Sequence, residues 1–101
     1  MSEPESALLL KLQVGDPQSF EYLVKTFSGR LLGTAARILG SESDAQDVVQ
    51  ETLISAWKGI GGFEGTSSLH TWLHRITVRV TYRQLKRFTV QRRNTSRSTP
   101  V

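Results

Sequence analysis

The sequence predicts an all-α fold, a compact domain of about four helices. In four segments apolar residues recur at helical spacing, and glycine, proline or serine separates neighbouring segments. Residues 66–99 contain neither glycine nor proline, a stretch far longer than a typical strand of ~3 to 10 residues. A chain of 101 residues is also large enough for a single hydrophobic core. One helical domain is therefore expected.

The first two helices have clear ends. The first is predicted over residues 6–14, an apolar segment that stops at Gly15. Asp16 then provides an N-cap, and Pro17 occupies the first helical position, where an N–H would be unpaired in any case. The second helix extends from there to Gly40. Its periodic apolar residues are Phe20, Leu23, Val24, Phe27, Leu31, Ala35 and Ile38.

The third helix has the clearest period in the sequence. Either Ser41 or Ser43 can cap its start. Its apolar face consists of Ala45, Val48, Val49, Thr52, Leu53, Ala56, Trp57 and Ile60. The next segment, "KGIGGFEGTSS", has four glycines in eleven residues, a composition that is unfavourable within a helix. It is therefore predicted to be a loop.

The last segment is ambiguous on local pattern, because residues 75–87, "RITVRVTYRQLKR", alternate like a strand. The helical interpretation places several apolar residues on one face, with Ser67 or Ser68 as the cap. These residues are Leu69, Trp72, Leu73, Ile76 and Val80. The sequence offers no second strand-like run to pair with a strand here. The stretch is therefore predicted to belong to a fourth helix.

The composition argues against several classes of function. The chain has no cysteine, so disulfides and thiolate metal sites are excluded. His70 and His74 are four residues apart, but no acidic residue lies near them in sequence to complete a metal site, so neither metal nor cofactor is expected. No glycine-rich phosphate loop, nucleophile–base pair or carboxylate pair suggests an enzyme. The start lacks the features of a secretory signal, and no apolar run reaches the ~18 to 20 residues of a membrane span. A cytoplasmic protein without membrane insertion is expected.

The net charge of +4 conceals two parts of opposite sign. Residues 1–69 hold five basic and nine acidic groups, a net −4, whereas residues 70–101 hold eight basic groups and no acidic one, a net +8. Such asymmetry indicates two partners of opposite charge, with nucleic acid a candidate for one of them. A solvated basic tail is the alternative.

One face of the third helix forms what we call the acidic stripe. At 100° per residue, its members lie within ~60° of one line, opposite the apolar face. They are Asp47, Gln50, Glu51, Ile54 and Lys58. A solvated face with acidic groups near the helix N-terminus explains the early residues but not Ile54. An apolar residue with a polar rim favours a protein contact.

Arginines on the fourth helix form what we call the basic stripe: Arg75, Arg79, Arg83 and Arg87. Each step of four residues advances about 40° around the helix, and Lys86 adds to the basic run. Guanidinium groups at this spacing can follow phosphates or bind base edges. A solvated face is the alternative, but solubility usually uses both signs of charge, and no acidic residue follows Glu64.

These segments resemble a known family. "DAQDVVQETLISAW" followed by "FEGTSSLHTWLHRI" is similar to region 2 of the extracytoplasmic-function group of bacterial sigma factors, in the sigma-70 family. "GDPQSFEYLVKTF" and "GRLLGTAARILG" match the helices that precede it, and the resemblance covers about residues 6–93. It implies a compact all-α domain over residues 1–93. Residues 94–101 are then expected to be a disordered tail or the start of a linker to a missing region 4 domain, as in a fragment of a longer protein.

The resemblance implies an alternative sigma factor that binds core RNA polymerase, recognises and melts the promoter −10 element, and is not an enzyme. Its docking site on the β′ clamp coiled coil would be Asp47, Gln50 and Glu51, with Ile54 and Trp57 nearby. In the loop, the resemblance implies that four residues capture a flipped base of the single-stranded non-template strand: Phe63, Thr66, Ser67 and Ser68. The resemblance also implies a set of residues that contact the −10 DNA: His70, Trp72, Arg75, Arg79, Arg83, Lys86 and Arg87. An anti-sigma factor is a further implied partner.

Two departures from the family pattern affect promoter recognition. Housekeeping sigma factors have two tryptophans where this chain has Trp72 and Leu73, which implies weaker melting and more dependence on an exact promoter. Some members carry asparagine at the positions of Arg79 and Arg83, and arginine favours guanine or phosphate where asparagine favours adenine. A free-standing basic DNA-binding module and a helical protein-interaction adaptor remain the alternative functions.

Overall fold

The structure is a computed structural model that describes residues 2–98, with side chains placed for residues 2–89. Its elements are α1 (Glu3–Gln13), α2 (Pro17–Leu39), α3 (Glu42–Gly59), a 3₁₀ turn (Ile60–Gly62) and α4 (Leu69–Ser98). Within residues 2–98 there is no strand. The predicted all-α class, with four helices, is confirmed.

Local capping chemistry fixes the ends of α2 and the start of α3. Asp16 caps α2 by accepting hydrogen bonds from the Ser19 N–H and hydroxyl, and the hydroxyl bond holds the pKa of Asp16 below its usual value. Gly40 ends α2 with a left-handed φ of 69°, a conformation that favours glycine, and its N–H donates to Ala36. Of the two candidate caps for α3, Ser41 is the one used, through the Asp44 N–H.

Helix α1 begins at Glu3, earlier than the predicted residue 6. Ser2 accepts a hydrogen bond from the Glu5 N–H, Pro4 lies in the first turn, and acidic side chains there interact favourably with the helix dipole. The start contains no apolar residue before Ala7, so periodicity could not reveal it.

The core lies between α2, α3 and α4, and α1 packs on α2 and on the 3₁₀ turn. Its fully buried apolar side chains include Leu12, Leu23, Leu31, Val48, Leu69, Leu73 and Val80. Helix α4 also buries Thr77 and Thr81, whose hydroxyls donate to the carbonyls of Leu73 (3.0 Å) and Thr77 (2.7 Å). Because each hydroxyl is satisfied one turn back, β-branched polar residues are accommodated inside the helix. The helical interpretation of residues 75–87 is therefore confirmed.

The helical backbone of α4 continues to Ser98. No glycine or proline interrupts the sequence before Pro100, and nothing local stops the helix earlier. The tail or linker predicted over residues 94–101 stays a prediction, and its residues 99–101 lie outside the described residues. Among the helices described, none combines the length and apolar character that crossing a membrane requires.

Candidate functional site

The acidic stripe lies on the solvent side of α3. Asp47, Gln50 and Lys58 are exposed, Glu51 is half-buried, and Ile54 is 50% exposed. The opposite side of α3 holds its buried residues, which include Val48, Thr52 and Ala56. The helix therefore presents an acidic surface with an apolar residue in its middle.

An apolar groove runs beside the acidic stripe, between α2 and α3. It has a volume of about 310 Å³ and is lined by Phe20, Val24, Gln50, Leu53, Ile54 and Trp57. The Phe20 and Trp57 rings meet edge to face, with centroids 4.7 Å apart, and Trp57 stays 41% exposed. By their spacing in the sequence, Phe20, Val24 and Leu53 belong to the apolar faces of α2 and α3. Periodicity finds the apolar side of a helix but does not distinguish a closed core from an open groove.

The basic stripe lies on the exposed side of α4. Arg75, Arg79, Arg83 and Arg87 are all exposed, as is Lys86. From Arg75 to Arg87 the stripe covers about 18 Å along the helix axis, at 1.5 Å per residue. It is a series of exposed cationic side chains long enough to meet several phosphates.

The two stripes meet at an ion pair that sequence analysis did not predict. Arg83 Nη2 lies 3.1 Å from Glu51 Oε1, with the side chains 51% and 42% exposed respectively. The residues are 32 positions apart, so the contact depends on how α3 and α4 pack. Glu51 thus belongs to the acidic stripe and also touches the basic one.

Phe63 lies in the core. It is 8% exposed, and its ring stacks on Trp72 with centroids 4.9 Å apart and planes inclined by 17°. The ring packs against the half-buried Trp72 near the start of α4. The structure thus gives Phe63 a packing role.

The three hydroxyl residues of the loop have different environments. Ser68 is the N-cap of α4, accepting from the Thr71 N–H at 3.1 Å and donating to the Thr71 hydroxyl at 2.9 Å. The Ser67 hydroxyl donates to the Ser68 carbonyl, and Thr66 is exposed. Gly65 just before them has a φ of 74°, which a side chain would disfavour. Thr66 is thus exposed and Ser67 half-buried in a bend directly before α4.

His70 is half-buried and stacks on Phe27, with ring centroids 5.9 Å apart. The His70 and His74 rings are 6.1 Å apart. In the part of the chain that the structure describes, no group of three or more His, Asp or Glu residues is placed to hold a metal ion. His70, one of the residues predicted to contact DNA, thus has its ring packed on Phe27 of α2.

Comparison with known proteins gives concordant results. Residues 23–91 match the family described as Sigma-70 region 2. The chain is 37% identical over 76 residues to the RNA polymerase sigma-H factor of Pseudomonas aeruginosa, covering 75% of this chain and 39% of that protein. It is 39% identical over 74 residues to the ECF RNA polymerase sigma-E factor of Haemophilus influenzae, covering 73% of this chain and 39% of that protein. The chain thus spans about 39% of the length of these curated relatives.

A solved structure has a similar fold. It is the NMR structure of an engineered region 2 of sigmaE in complex with GTAAAA. The TM-score is 0.73 at 32% sequence identity, and the match covers 84% of this chain and 90% of that one.

Proposed function

Because this chain belongs to the sigma-70 family, as a region 2 of the extracytoplasmic-function group, we propose that it binds core RNA polymerase and recognises and melts the promoter −10 element. In this role it is not an enzyme; it supplies DNA specificity to one. It would act in the cytoplasm, where RNA polymerase works. The observation that carries the proposal is the order of the three surfaces along the fold. The acidic stripe on α3, the loop of residues 63–68 and the basic stripe on α4 follow one another in the chain, with the 3₁₀ turn Ile60–Gly62 between α3 and the loop.

The acidic stripe and the apolar groove are the proposed polymerase surface. Asp47, Gln50 and Glu51 offer acidic and amide groups to a basic surface such as that implied for the β′ clamp coiled coil. Ile54 and Trp57 add exposed apolar area at the groove. Interfaces commonly combine an apolar centre that includes aromatic residues with a polar rim, and this surface has both parts. An anti-sigma factor that covers the same surfaces is a second proposed partner.

The loop and the basic stripe are the proposed promoter surface. The sigmaE region 2 of similar fold was solved in complex with GTAAAA, which supports a nucleic acid site on this domain. Thr66 and Ser67 supply hydroxyls before α4, and Arg75, Arg79, Arg83, Lys86 and Arg87 supply positive charge along it. With Phe63 packed on Trp72, the hydroxyls and the edge of Trp72 are the proposed contacts to an extruded base.

Promoter preference is proposed to differ from that of members with asparagines at the positions of Arg79 and Arg83. Arginine binds guanine bidentately or contacts phosphate, whereas asparagine pairs with adenine. Leu73 in place of a second tryptophan is fully buried, so it contributes to the core and not to an exposed melting surface. We therefore expect stronger dependence on an exact −10 sequence.

The decisive test uses single-stranded −10 oligonucleotides that differ at one nucleotide at a time. They are titrated against the chain bound to bacterial core RNA polymerase, for wild type and a Thr66→Ala, Ser67→Ala double variant. Wild type should prefer one base at one position, and the double variant should lose that preference. Ser43→Ala, an exposed serine in the first turn of α3, is the matched control.

Three outcomes would contradict parts of the proposal. Equal affinity for every oligonucleotide in both proteins would make the loop a simple connector. Failure of the chain to bind polymerase, with DNA binding retained, would favour a free-standing DNA-binding module. Binding to an acidic protein alone would favour a helical adaptor.

A further inference from the structure

Helix α1 holds the segment that connects α3 to α4. The side-chain amide of Gln13, the last residue of α1, donates two hydrogen bonds across the fold. Its Nε2 lies 3.1 Å from the Ile60 carbonyl oxygen and 2.8 Å from the Phe63 carbonyl oxygen. Both contacts are partly buried, and they join residues 47 and 50 positions apart. Gln13 thus ties down the start of the connecting segment.

The other end of the segment is held by the first turn of α1. The Glu5 carboxylate accepts a hydrogen bond from the N–H of Leu69, the first residue of α4. A carboxylate at this place satisfies an N–H that has no partner within its own helix and interacts favourably with the helix dipole. Glu5 and Gln13 are eight residues apart, or about 12 Å along α1. One helix therefore fixes both ends of residues 60–69.

We infer that α1 positions residues 60–69 for base recognition, with Gln13 and Glu5 as positioning residues. The inference rests on the proposed function of this loop. The segment contains Gly61, Gly62 and Gly65, so its own backbone gives little stiffness. Groups that recognise a base must be held in place before binding, since otherwise the cost of ordering them reduces affinity and selectivity. The contacts from α1 supply that order to Thr66 and Ser67.

A purely structural role for these contacts is the competing explanation. It predicts a change in stability without a change in base preference, so measuring base preference separates the structural explanation from the positioning role. The donor is the critical feature of Gln13, because both of its partners are carbonyl oxygens. Gln13→Glu keeps the shape but removes the donor and places a carboxylate oxygen against them. Gln13→Lys keeps a donor and is the rescue variant.

The experiment measures two quantities for each variant of the full 101-residue chain. The first is amide hydrogen exchange of residues 61–68 in the free chain. The second is the ratio of affinities for two single-stranded −10 oligonucleotides that differ at the preferred nucleotide, with core RNA polymerase present. Gln18→Glu makes the same chemical change at an exposed glutamine in the first turn of α2 and serves as the control.

For Gln13→Glu we expect loop exchange about tenfold to a hundredfold faster, because two hydrogen bonds are lost. The Phe63 carbonyl loses its partner, whereas the Ile60 carbonyl still accepts from the Phe63 N–H. The affinity ratio should fall towards one, while polymerase binding stays at the wild-type level. Gln13→Lys should restore both quantities in large part, and Gln18→Glu should change neither. Glu5→Ala, compared with Glu3→Ala, repeats the test from the other end of the segment should Gln13→Glu fail to fold.

The outcomes separate this inference from the proposed function. Faster exchange in Gln13→Glu with an unchanged affinity ratio would reduce the contact to a structural role and overturn the inference. Unchanged exchange would overturn it as well, since Gln13 would then not hold the loop. A wild-type chain without any base preference would instead defeat the proposed function of the loop, on which the inference depends.

Discussion

Reversing the charge of Glu51 is the most direct test of the polymerase surface. In Glu51→Lys a cation replaces the carboxylate in the middle of the acidic stripe. If this stripe meets a basic surface of polymerase, the introduced lysine faces like charges. Affinity for core RNA polymerase should then fall by about 3 kcal/mol or more, at least about a hundredfold.

The structure limits how much of this loss could come from damage to the fold. Glu51 has one ion pair among the described residues, with Arg83 at 3.1 Å, and both side chains are about half exposed. An exposed pair of this kind is worth about 0.2 to 1 kcal/mol, and the new repulsion between the lysine and Arg83 is of similar size. The two effects together cost at most about 2 kcal/mol, or about 8–16 °C in Tm for a domain of this length, since 1 kcal/mol corresponds to about 4–8 °C. The expected loss of binding exceeds the expected loss of stability.

The assay is equilibrium binding of labelled chain to core RNA polymerase, with circular dichroism to verify folding. Arg83→Ala removes the same ion pair but leaves the acidic stripe intact, so it should retain polymerase affinity. Asp47→Lys, at an exposed position in the same stripe, should weaken binding as Glu51→Lys does. Unchanged affinity in a folded Glu51→Lys variant would make the stripe a solvated face. Equal losses in Glu51→Lys and Arg83→Ala would instead attribute the effect to the ion pair.

Two further predictions concern the basic stripe and the core. Arg79→Ala should weaken promoter complexes with polymerase. If Arg79 contacts a base, binding free energy should fall by ~1 to 3 kcal/mol in a way that depends on one promoter position. If it contacts phosphate, affinity should fall equally for all sequences, and the slope of log affinity against log salt should shrink by about one. Normal transcription by the variant would contradict a DNA role. Thr52→Val should raise stability by about 1 kcal/mol, or Tm by about 4–8 °C, because the fully buried Thr52 hydroxyl has no hydrogen-bond partner among the described residues. Thermal unfolding measures this, and a lower Tm would indicate that the hydroxyl is satisfied in solution.

Much of the fold could be predicted because its determinants are local. Asp16, Pro17 and Gly40 mark the ends of α2 through capping chemistry that acts over a few residues. The start of α1 at Glu3 escaped prediction because the segment has no apolar period there. The burial of Thr77 and Thr81 escaped it for another reason. A threonine hydroxyl can bond to the preceding turn or to water, and only the packing of α4 decides between them.

The candidate site shows a similar division. The exposure of Asp47, Gln50 and the arginines of α4 follows from helical geometry, since the opposite faces are apolar. Residue type could not decide the place of Phe63, because an aromatic ring in a glycine-rich loop suits a core contact and a base contact equally. The groove beside Trp57 and the hydrogen bonds of Gln13 depend on how helices distant in sequence pack. Such contacts have no signature along the chain.

The Glu51–Arg83 pair changes how substitutions in the basic stripe should be compared. Each successive arginine of the stripe is displaced by about 40° around α4, and this displacement brings Arg83 next to Glu51 on the acidic stripe of α3. Arg79, one turn earlier, is exposed and takes part in no ion pair within the described residues. Removing Arg83 therefore has two effects: it deletes a candidate DNA contact, and it releases Glu51 on the proposed polymerase surface. Removing Arg79 has only the first effect. Of the two arginines, Arg79 is the one whose replacement measures a DNA contact alone.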